Sequence, residues 1–245
     1  MINSISIILP IFNEERRIKE NLIKIKKFNL AKFIKIKEFI LVNDGSKDNT
    51  KNIIDNFIKK NKKIIKNLKL INHKKNLGKG AALKTGIKKA KNDWVLTSDV
   101  DFSVSLFELK NWIEKFIQFK KKDKIVFFGS RAHNKSIVNS KFHRKIIGYF
   151  LSKIIFYFLN IEIKDTQCGF KLYKKKIAKK LFSSIISKGF EHDIELALIL
   201  KKNNIKIVEL PITWTHKEFS KVDVLLDSIK ILKSIYLFKN KFNLN

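Results

Sequence analysis

The chain has 245 residues, 44% of them hydrophobic and 11% aromatic, with two prolines, which allows one sizeable core and excludes an intrinsically disordered chain. Lys and Arg number 53 against 22 Asp and Glu, a net charge of +31 that fits nucleic acid, an anionic membrane leaflet or a phosphorylated substrate, and equally a base-composition bias toward Lys, Ile, Asn and Phe. The one cysteine, Cys168, excludes an intrachain disulfide and suits a reducing, cytoplasmic setting.

In chain order, Ile5–Ile11 reads as a buried strand with no signal-peptide pattern, and Ile18, Leu22 and Ile25 recur at helical spacing between Glu14 and about Phe28. Glu38–Asn43 is a second strand; a turn follows at Asp44-Gly45-Ser46-Lys47-Asp48, where Ser46 or Asp48 can cap a helix running to about Lys62. Leu68–Asn72 is a third strand, a loop with Asn76, Gly78 and Gly80 opens a helix to Lys91, and Trp94–Ser98 is a fourth strand ending at Asp99. A helix near Leu106–Phe119 and a strand at Lys124–Gly129 complete a first half, residues 1–129. This alternation predicts an α/β fold on a mostly parallel sheet, with ligands bound beyond the carboxyl ends of the strands, where Asn13, Asp44 and Asp99 fall.

After Ser130 the alternation breaks: a basic loop, an apolar helix, the run Asp165-Thr166-Gln167-Cys168-Gly169-Phe170, a helix near Asp193–Lys202, a strand at Lys206–Leu210 and a last amphipathic helix from about Val222 to Lys239. With no repeat and no linker, residues 130–245 read as the acceptor half of a single domain.

Asp99 and Asp101, one residue apart after a strand, can share a divalent cation; oxygen ligands suit Mg²⁺ or Mn²⁺, though a capped turn explains such a pair as well. Gly78-Lys79-Gly80 lets the backbone and Lys79 approach phosphate, yet it lacks P-loop and GxGxxG spacing and also reads as a plain helix start. Asp193 and Glu195, near a helix start, are candidates for a base or positioning group, or serve the helix dipole.

The segments SIILPIFNEERRI, FILVNDGSKDNT, NLGKGAALKTGI and SDVD, in that order, resemble glycosyltransferase family 2; GSRAH, DTQCGFKLY and SKVD resemble its dolichyl-phosphate glucosyltransferase branch. The resemblance covers nearly the whole chain and implies a GT-A fold and inverting transfer of a hexose, glucose from UDP-glucose first, to a polyprenyl phosphate at the cytoplasmic face of a membrane. It implies that Pro10, Phe12, Asn13, Glu14 and Asp44 hold base and ribose, that Lys79 approaches the nucleotide, and that Asp99 and Asp101 take the metal and diphosphate. It also gives Arg131, Arg144, Gln167 and Lys221 roles at the sugar, the acceptor phosphate or the leaving group. Three departures stand out: Phe12 for the usual Tyr, Asn43 for the usual Asp, and Phe102-Ser103-Val104-Ser105 for a glycine-containing stretch.

Residues His143–Leu159 mix Ile146, Ile147, Phe150, Ile154, Ile155 and Phe158 with Arg144, Lys145 and Lys153, a pattern that fits a membrane interface or a charged-rimmed core helix. The run falls short of the roughly 20 apolar residues of a spanning helix, so peripheral contact is expected. In the last helix Val222, Leu225, Leu226, Ile229, Leu232 and Tyr236 form the expected core face, leaving Ile231 and Leu237 outside it. A hydroxyl acceptor or a basic nucleic-acid-binding module are the competing readings; lysines spread through every segment argue against the latter, so no nucleic acid is expected.

Overall fold

The computed structural model describes residues 2–115, 124–139, 142–218 and 224–242, with the side chains of residues 142–149, 151 and 224–228 left out of the description. The elements run β1 (Ser4–Ile11), α1 (Ile18–Leu30), β2 (Ile36–Asn43), α2 (Thr50–Asn61), β3 (Leu68–Asn72), α3 (Lys79–Lys89), β4 (Trp94–Thr97), α4 (Glu108–Lys115) and β5 (Ile125–Gly129). They continue with β6 (Ile137–Asn139), α5 (Phe142–Leu159), β7 (Lys171–Lys174), α6 (Lys175–Ser184), α7 (His192–Lys202), β8 (Lys206–Leu210), β9 (Thr213–Thr215) and α8 (Val224–Phe242).

A seven-stranded sheet has the order β3-β2-β1-β4-β7-β5-β8. Its strands pair in parallel except at β7, which runs antiparallel between β4 and β5. The expected parallel core is therefore present, and the short strand β7, absent from the sequence reading, joins the two halves of the chain into one sheet. Four residues at the end of the Asp165–Phe170 run give too little periodicity to distinguish a strand from loop. A two-stranded ribbon of β6 and β9 sits beside the sheet.

The inner strands β1, β2, β4, β5 and β7 are buried almost throughout, as helices on both faces require, while the edge strands β3 and β8 are partly exposed. Ile18, Leu22, Ile25 and Phe28 of α1 form one apolar stripe and pack with Ile5, Ile7, Phe39 and Leu41 on one sheet face. Leu83 and Ile87 of α3, Leu181 and Phe182 of α6, and Leu196 and Leu200 of α7 pack on the other. Helix α7 is buried from His192 to Leu200 because a further layer, α5 and α8, covers its outer side through Ile155, Leu159, Ile231, Ile235 and Phe238.

That layer reverses the expected face of the last helix. Ile231 is buried, while Ile229, Leu232 and Tyr236 are exposed together with Leu237. Two apolar stripes run along α8, and packing against α5 and α7 selects the one through Ile231, Ile235 and Phe238. Helix α1 also begins later than expected, because residues 13–17 form the loop that meets β2.

Candidate active site

Parallel strands β1, β2 and β4 end side by side, and their following loops are laced together by side-chain hydrogen bonds. The Asn13 amide donates to Ser46 Oγ at 2.9 Å, the Lys47 amide to Asn13 Oδ1 at 2.9 Å, the Glu14 amide to Thr50 Oγ1 at 2.7 Å and the Glu15 amide to Asp48 Oδ2 at 3.1 Å. Asp48 also accepts from the Thr50 amide at 3.1 Å, a turn bond to the first residue of α2, while the N-cap itself is Asn49, which makes no side-chain cap bond, and not Ser46 or Asp48 as expected. Asn13 has φ 52°, a left-handed backbone that asparagine adopts more readily than most side chains, and its Oδ1 is held by the Lys47 amide. Pro10 and Phe12 are half-buried around this end of β1. Asn43, where the family pattern has an acid, accepts from the Ser46 amide at 3.1 Å and donates to Asn72 Oδ1 at 2.9 Å, holding the turn without a charge.

Asp44 lies buried beneath the β3–α3 loop and accepts from the amides of Leu77 at 3.0 Å and Gly78 at 2.7 Å, with His73 Nδ1 at 2.6 Å. His73 reaches Thr85 Oγ1 on α3 through its other nitrogen at 2.9 Å. Gly78 has φ +99°, and a Cβ there would stand 2.4 Å from the Lys188 carbonyl oxygen, so this loop is pinned at both sides. The pinning delivers Lys79, the first residue of α3, to Asp99 at 2.6 Å and over the Phe190 ring at 5.5 Å. Burial works against the Lys79 charge, but Asp99, Asp193 and Asp101 outweigh it and hold its pKa above the usual lysine value.

Asp99 is 42% exposed and rests on Gly169, where a Cβ would meet Asp99 Oδ2 at 2.5 Å. Thr97 Oγ1 donates to the Gly169 carbonyl at 3.0 Å and fixes that approach. Asp101 accepts from the Ser103 amide at 2.9 Å through one oxygen and faces Arg17 Nη1 at 3.5 Å through the other. Arg17 grips Glu14 through both Nε and Nη2 and donates to the Glu218 carbonyl at 3.1 Å. Phe102, the first residue of the stretch that departs from the family pattern, has φ +50° and is buried, a left-handed backbone that is rare for a bulky residue.

On the other side of Asp99 the cleft is lined by Ser103, Arg131, Gln167, Gly169 and Trp214. Arg131 forks onto Asp165, Nε to Oδ2 at 2.7 Å and Nη2 to Oδ1 at 2.8 Å, and its guanidinium lies 6.0 Å from the Trp214 ring centroid. Burial would raise the Asp165 pKa, but Arg131 holds it below the usual carboxylate range. The Gln167 amide donates to Asp165 Oδ1 at 3.2 Å, and its side-chain Nε2 is buried with no hydrogen-bond partner. Cys168 borders the same cleft with its thiol pushed up to about 12 by burial, which leaves it protonated and unreactive.

Asp193 is buried, does not line this cleft, and pairs through Oδ1 with Lys171 of β7, which also donates to the Thr166 carbonyl at 2.9 Å. Burial would raise its pKa, but the facing His192, Lys171 and Lys79 lower it, so the carboxylate stays ionised. That pairing ties α7 to the Asp165–Phe170 run through Oδ1, while Asp193 Oδ2 is buried with no hydrogen-bond partner among the described residues. Glu195, the other candidate acid, is fully buried and accepts from the Ser187 amide at 2.8 Å and Lys241 Nζ at 2.5 Å, so it anchors a loop and α8. Lys221 lies outside the described residues, as does the side chain of Arg144.

Arg17, His73, Asp165 and Gly169 were not singled out by the sequence. Arg17 and Gly169 stand inside quoted motifs, but only the contacts to Asp101 and Asp99 give them weight. Among the described residues no group of three or more His, Cys, Asp or Glu side chains gathers for a metal. Asp99 and Asp101 supply the carboxylate oxygens that suit Mg²⁺ or Mn²⁺, Asp99 being 42% exposed with its carboxylate lying in the space that Gly169 leaves by having no Cβ, and phosphate oxygens would have to complete the ligand set.

Solved structures share the fold: glucosyl-3-phosphoglycerate synthase from Mycobacterium tuberculosis in complex with Mn²⁺ and UDP-glucose aligns over 95% of this chain and 79% of its own at TM-score 0.65 and 15% identity. Mannosyl-3-phosphoglycerate synthase from Rubrobacter xylanophilus aligns over 97% and 74% at TM-score 0.68 and 14% identity. These give a mixed α/β, Rossmann-like fold. In sequence, a dolichyl-phosphate beta-glucosyltransferase of Dictyostelium discoideum is 30% identical over 97% of this chain and 74% of its own length. One of Trichomonas vaginalis is 33% identical over 90% and 68%. Residues 6–182, which carry β1 through α6 and so every laced loop, the Asp99–Asp101 pair and the Arg131–Asp165 fork, match the family described as Glycosyl transferase family 2. By that match and that likeness, this chain belongs to glycosyl transferase family 2 and is a glycosyltransferase.

Proposed function

We propose that the enzyme, a single catalytic unit on the GT-A plan, transfers glucose from UDP-glucose with inversion to a dolichyl or other polyprenyl phosphate at the cytoplasmic face of a membrane. One observation carries the reading: Asp99, paired with Lys79 on its donor side, borders the same cleft as Arg131 and Gln167. An anionic leaving group and an anionic acceptor would then meet across one carboxylate. The named activities of the relatives, and the UDP-glucose bound by a structure of the same fold, support this choice of donor and acceptor.

The laced loops carrying Pro10, Phe12, Asn13 and Glu14 form the wall against which a uridine would lie, with Asp44 shaping that wall through the Leu77 and Gly78 amides. Lys79, kept protonated, neutralises charge that builds on the departing diphosphate. A Mg²⁺ or Mn²⁺ ion held by Asp99 and Asp101 supplies further Lewis-acid neutralisation there when bound. Arg131, rigid on Asp165 yet 37% exposed, and the unpaired Gln167 amide nitrogen orient the acceptor phosphate. A phosphate oxygen is already anionic at neutral pH, so no strong general base is required, which agrees with Asp193 being held in an ion pair.

The lipid side is supplied by α5 and α8, which turn Phe150, Phe156, Tyr157, Ile229, Tyr236 and Leu237 outward beside lysines. Among the described residues no helix is long and apolar enough to cross a membrane, so contact through these helices would be peripheral. The test is turnover of UDP-[¹⁴C]glucose with dolichyl phosphate in vesicles, with Mg²⁺, Mn²⁺ or chelator, against free sugar acceptors. Metal-dependent glucosyl-phosphoryl lipid is expected; strict dependence on a sugar hydroxyl would defeat the lipid-phosphate reading.

A further inference from the structure

The two acids read as the metal platform are each already faced by a cation of the chain. Lys79 stands 2.6 Å from Asp99 and Arg17 stands 3.5 Å from Asp101. The two cations differ in how firmly they are held. Lys79 is a single ammonium at the start of α3 whose one ion pair among the described residues is with Asp99, so a phosphate oxygen has one ion pair to replace. Arg17 is fixed by two bonds to Glu14 and a third to the Glu218 carbonyl at 3.1 Å. It cannot follow an incoming ligand without breaking the loop that carries Glu14.

From this arrangement we propose that Arg17 is a positioning residue that keeps a divalent cation off Asp99 and Asp101 until the donor's diphosphate is present. The inference rests on the reading of those two acids as the metal platform. A cation arriving alone meets carboxylates that are already partnered, Asp99 by Lys79 and both Asp101 and Glu14 by Arg17, and among the described residues no group of three or more acids, histidines or cysteines is gathered to hold it. A diphosphate changes that balance: it draws Lys79 away from Asp99, adds its own oxygens as ligands, and leaves the fixed charge of Arg17 outweighed. Arg17 also orients the Asp101 oxygen that the Ser103 amide does not hold, so the carboxylate is presented in one pose when the metal enters. Metal and donor therefore bind as a unit, and the empty enzyme is spared from binding metal without substrate.

The experiment measures Mn²⁺ binding by electron paramagnetic resonance and calorimetry, without nucleotide and with UDP, for the wild-type chain, Arg17→Gln and Arg17→Lys. Wild type should bind Mn²⁺ at least about tenfold more tightly with UDP than without. Arg17→Gln should tighten nucleotide-free Mn²⁺ binding on the order of tenfold and shrink the effect of UDP, whereas Arg17→Lys, which keeps the charge but loses the fork on Glu14, should fall between the two. Unchanged nucleotide-free affinity in Arg17→Gln overturns the role of Arg17 while leaving the platform intact. Absence of Mn²⁺ uptake by wild type even with UDP overturns the platform itself. Should Arg17→Gln fail to fold, the ¹⁵N guanidinium signals of Arg17 in the wild-type chain carry the test: they should shift with Mg²⁺ and UDP together and stay unmoved by Mg²⁺ alone, and saturation by Mg²⁺ alone at micromolar concentration would refute the inference.

Discussion

Gly169 supports Asp99 by having no side chain. In Gly169→Ala the new methyl would stand 2.5 Å from Asp99 Oδ2, so the carboxylate or the backbone of the loop before β7 has to move. Misplacement by about 1 Å at a reacting centre costs on the order of 10²-fold, and Gly169→Ala should lower kcat by that order while thermal unfolding changes little. Equal loss of fold and activity would instead make Gly169 a packing residue. Asp101→Asn should remove transition-state stabilisation of roughly 3 kcal/mol, about 10²-fold in kcat/KM, with the remaining activity no longer responsive to added Mn²⁺. The Asp165 carboxyl, held by Arg131 below its usual pKa, contributes stability that is full above the unfolded carboxylate range and is lost as pH falls through the lower folded value. Unfolding free energy measured from pH 7 downward should therefore fall less steeply in Asp165→Asn than in wild type, even though the variant starts less stable; parallel curves would remove Asp165 from the acid response.

At the scale of elements, the pair α5 and α8 packs one set of apolar residues inward and leaves another exposed. Ile155, Leu159, Ile231, Ile235 and Phe238 close over α7, and Tyr157 and Tyr236 stay 81% and 70% exposed. Each exposed aromatic transferred from water into an interface contributes roughly 1–2 kcal/mol. The double change Tyr236→Ser and Leu237→Ser should lower binding to vesicles about tenfold or more without altering turnover of a short-chain, water-soluble acceptor phosphate. Loss of both together would mean that this face serves the fold. The loop lacing belongs to the same scale: Thr50→Ala removes the bond from the Glu14 amide, and its cost should appear in the KM for the nucleotide sugar more than in kcat.

Across the whole molecule the net charge of +31 acts at long range on anionic surfaces and substrates. Association with vesicles rich in anionic lipid should weaken steeply between about 0.05 and 0.5 M salt as the Debye length shortens, and neutral vesicles should bind with little salt dependence; equal binding to both would assign association to the apolar face alone. The charge and the strand–helix alternation were legible in the chain because each is local: burial on both faces makes a continuous apolar run, and an amphipathic helix repeats every few residues. The convergence of Asn13, Asp44 and Asp99 followed from the same alternation, since parallel strands end on one side of a sheet. What the residues in sequence could not decide was every choice between equivalent alternatives. Strand β7 is too short to declare itself and takes its place only through pairing with β4 and β5. Helix α8 has two apolar stripes, and its neighbours choose which is buried. Arg17, Asp165 and Gly169 acquire a function from partners 84, 34 and 70 or so positions away in the chain, and such contacts exist only once the sheet has brought distant loops together.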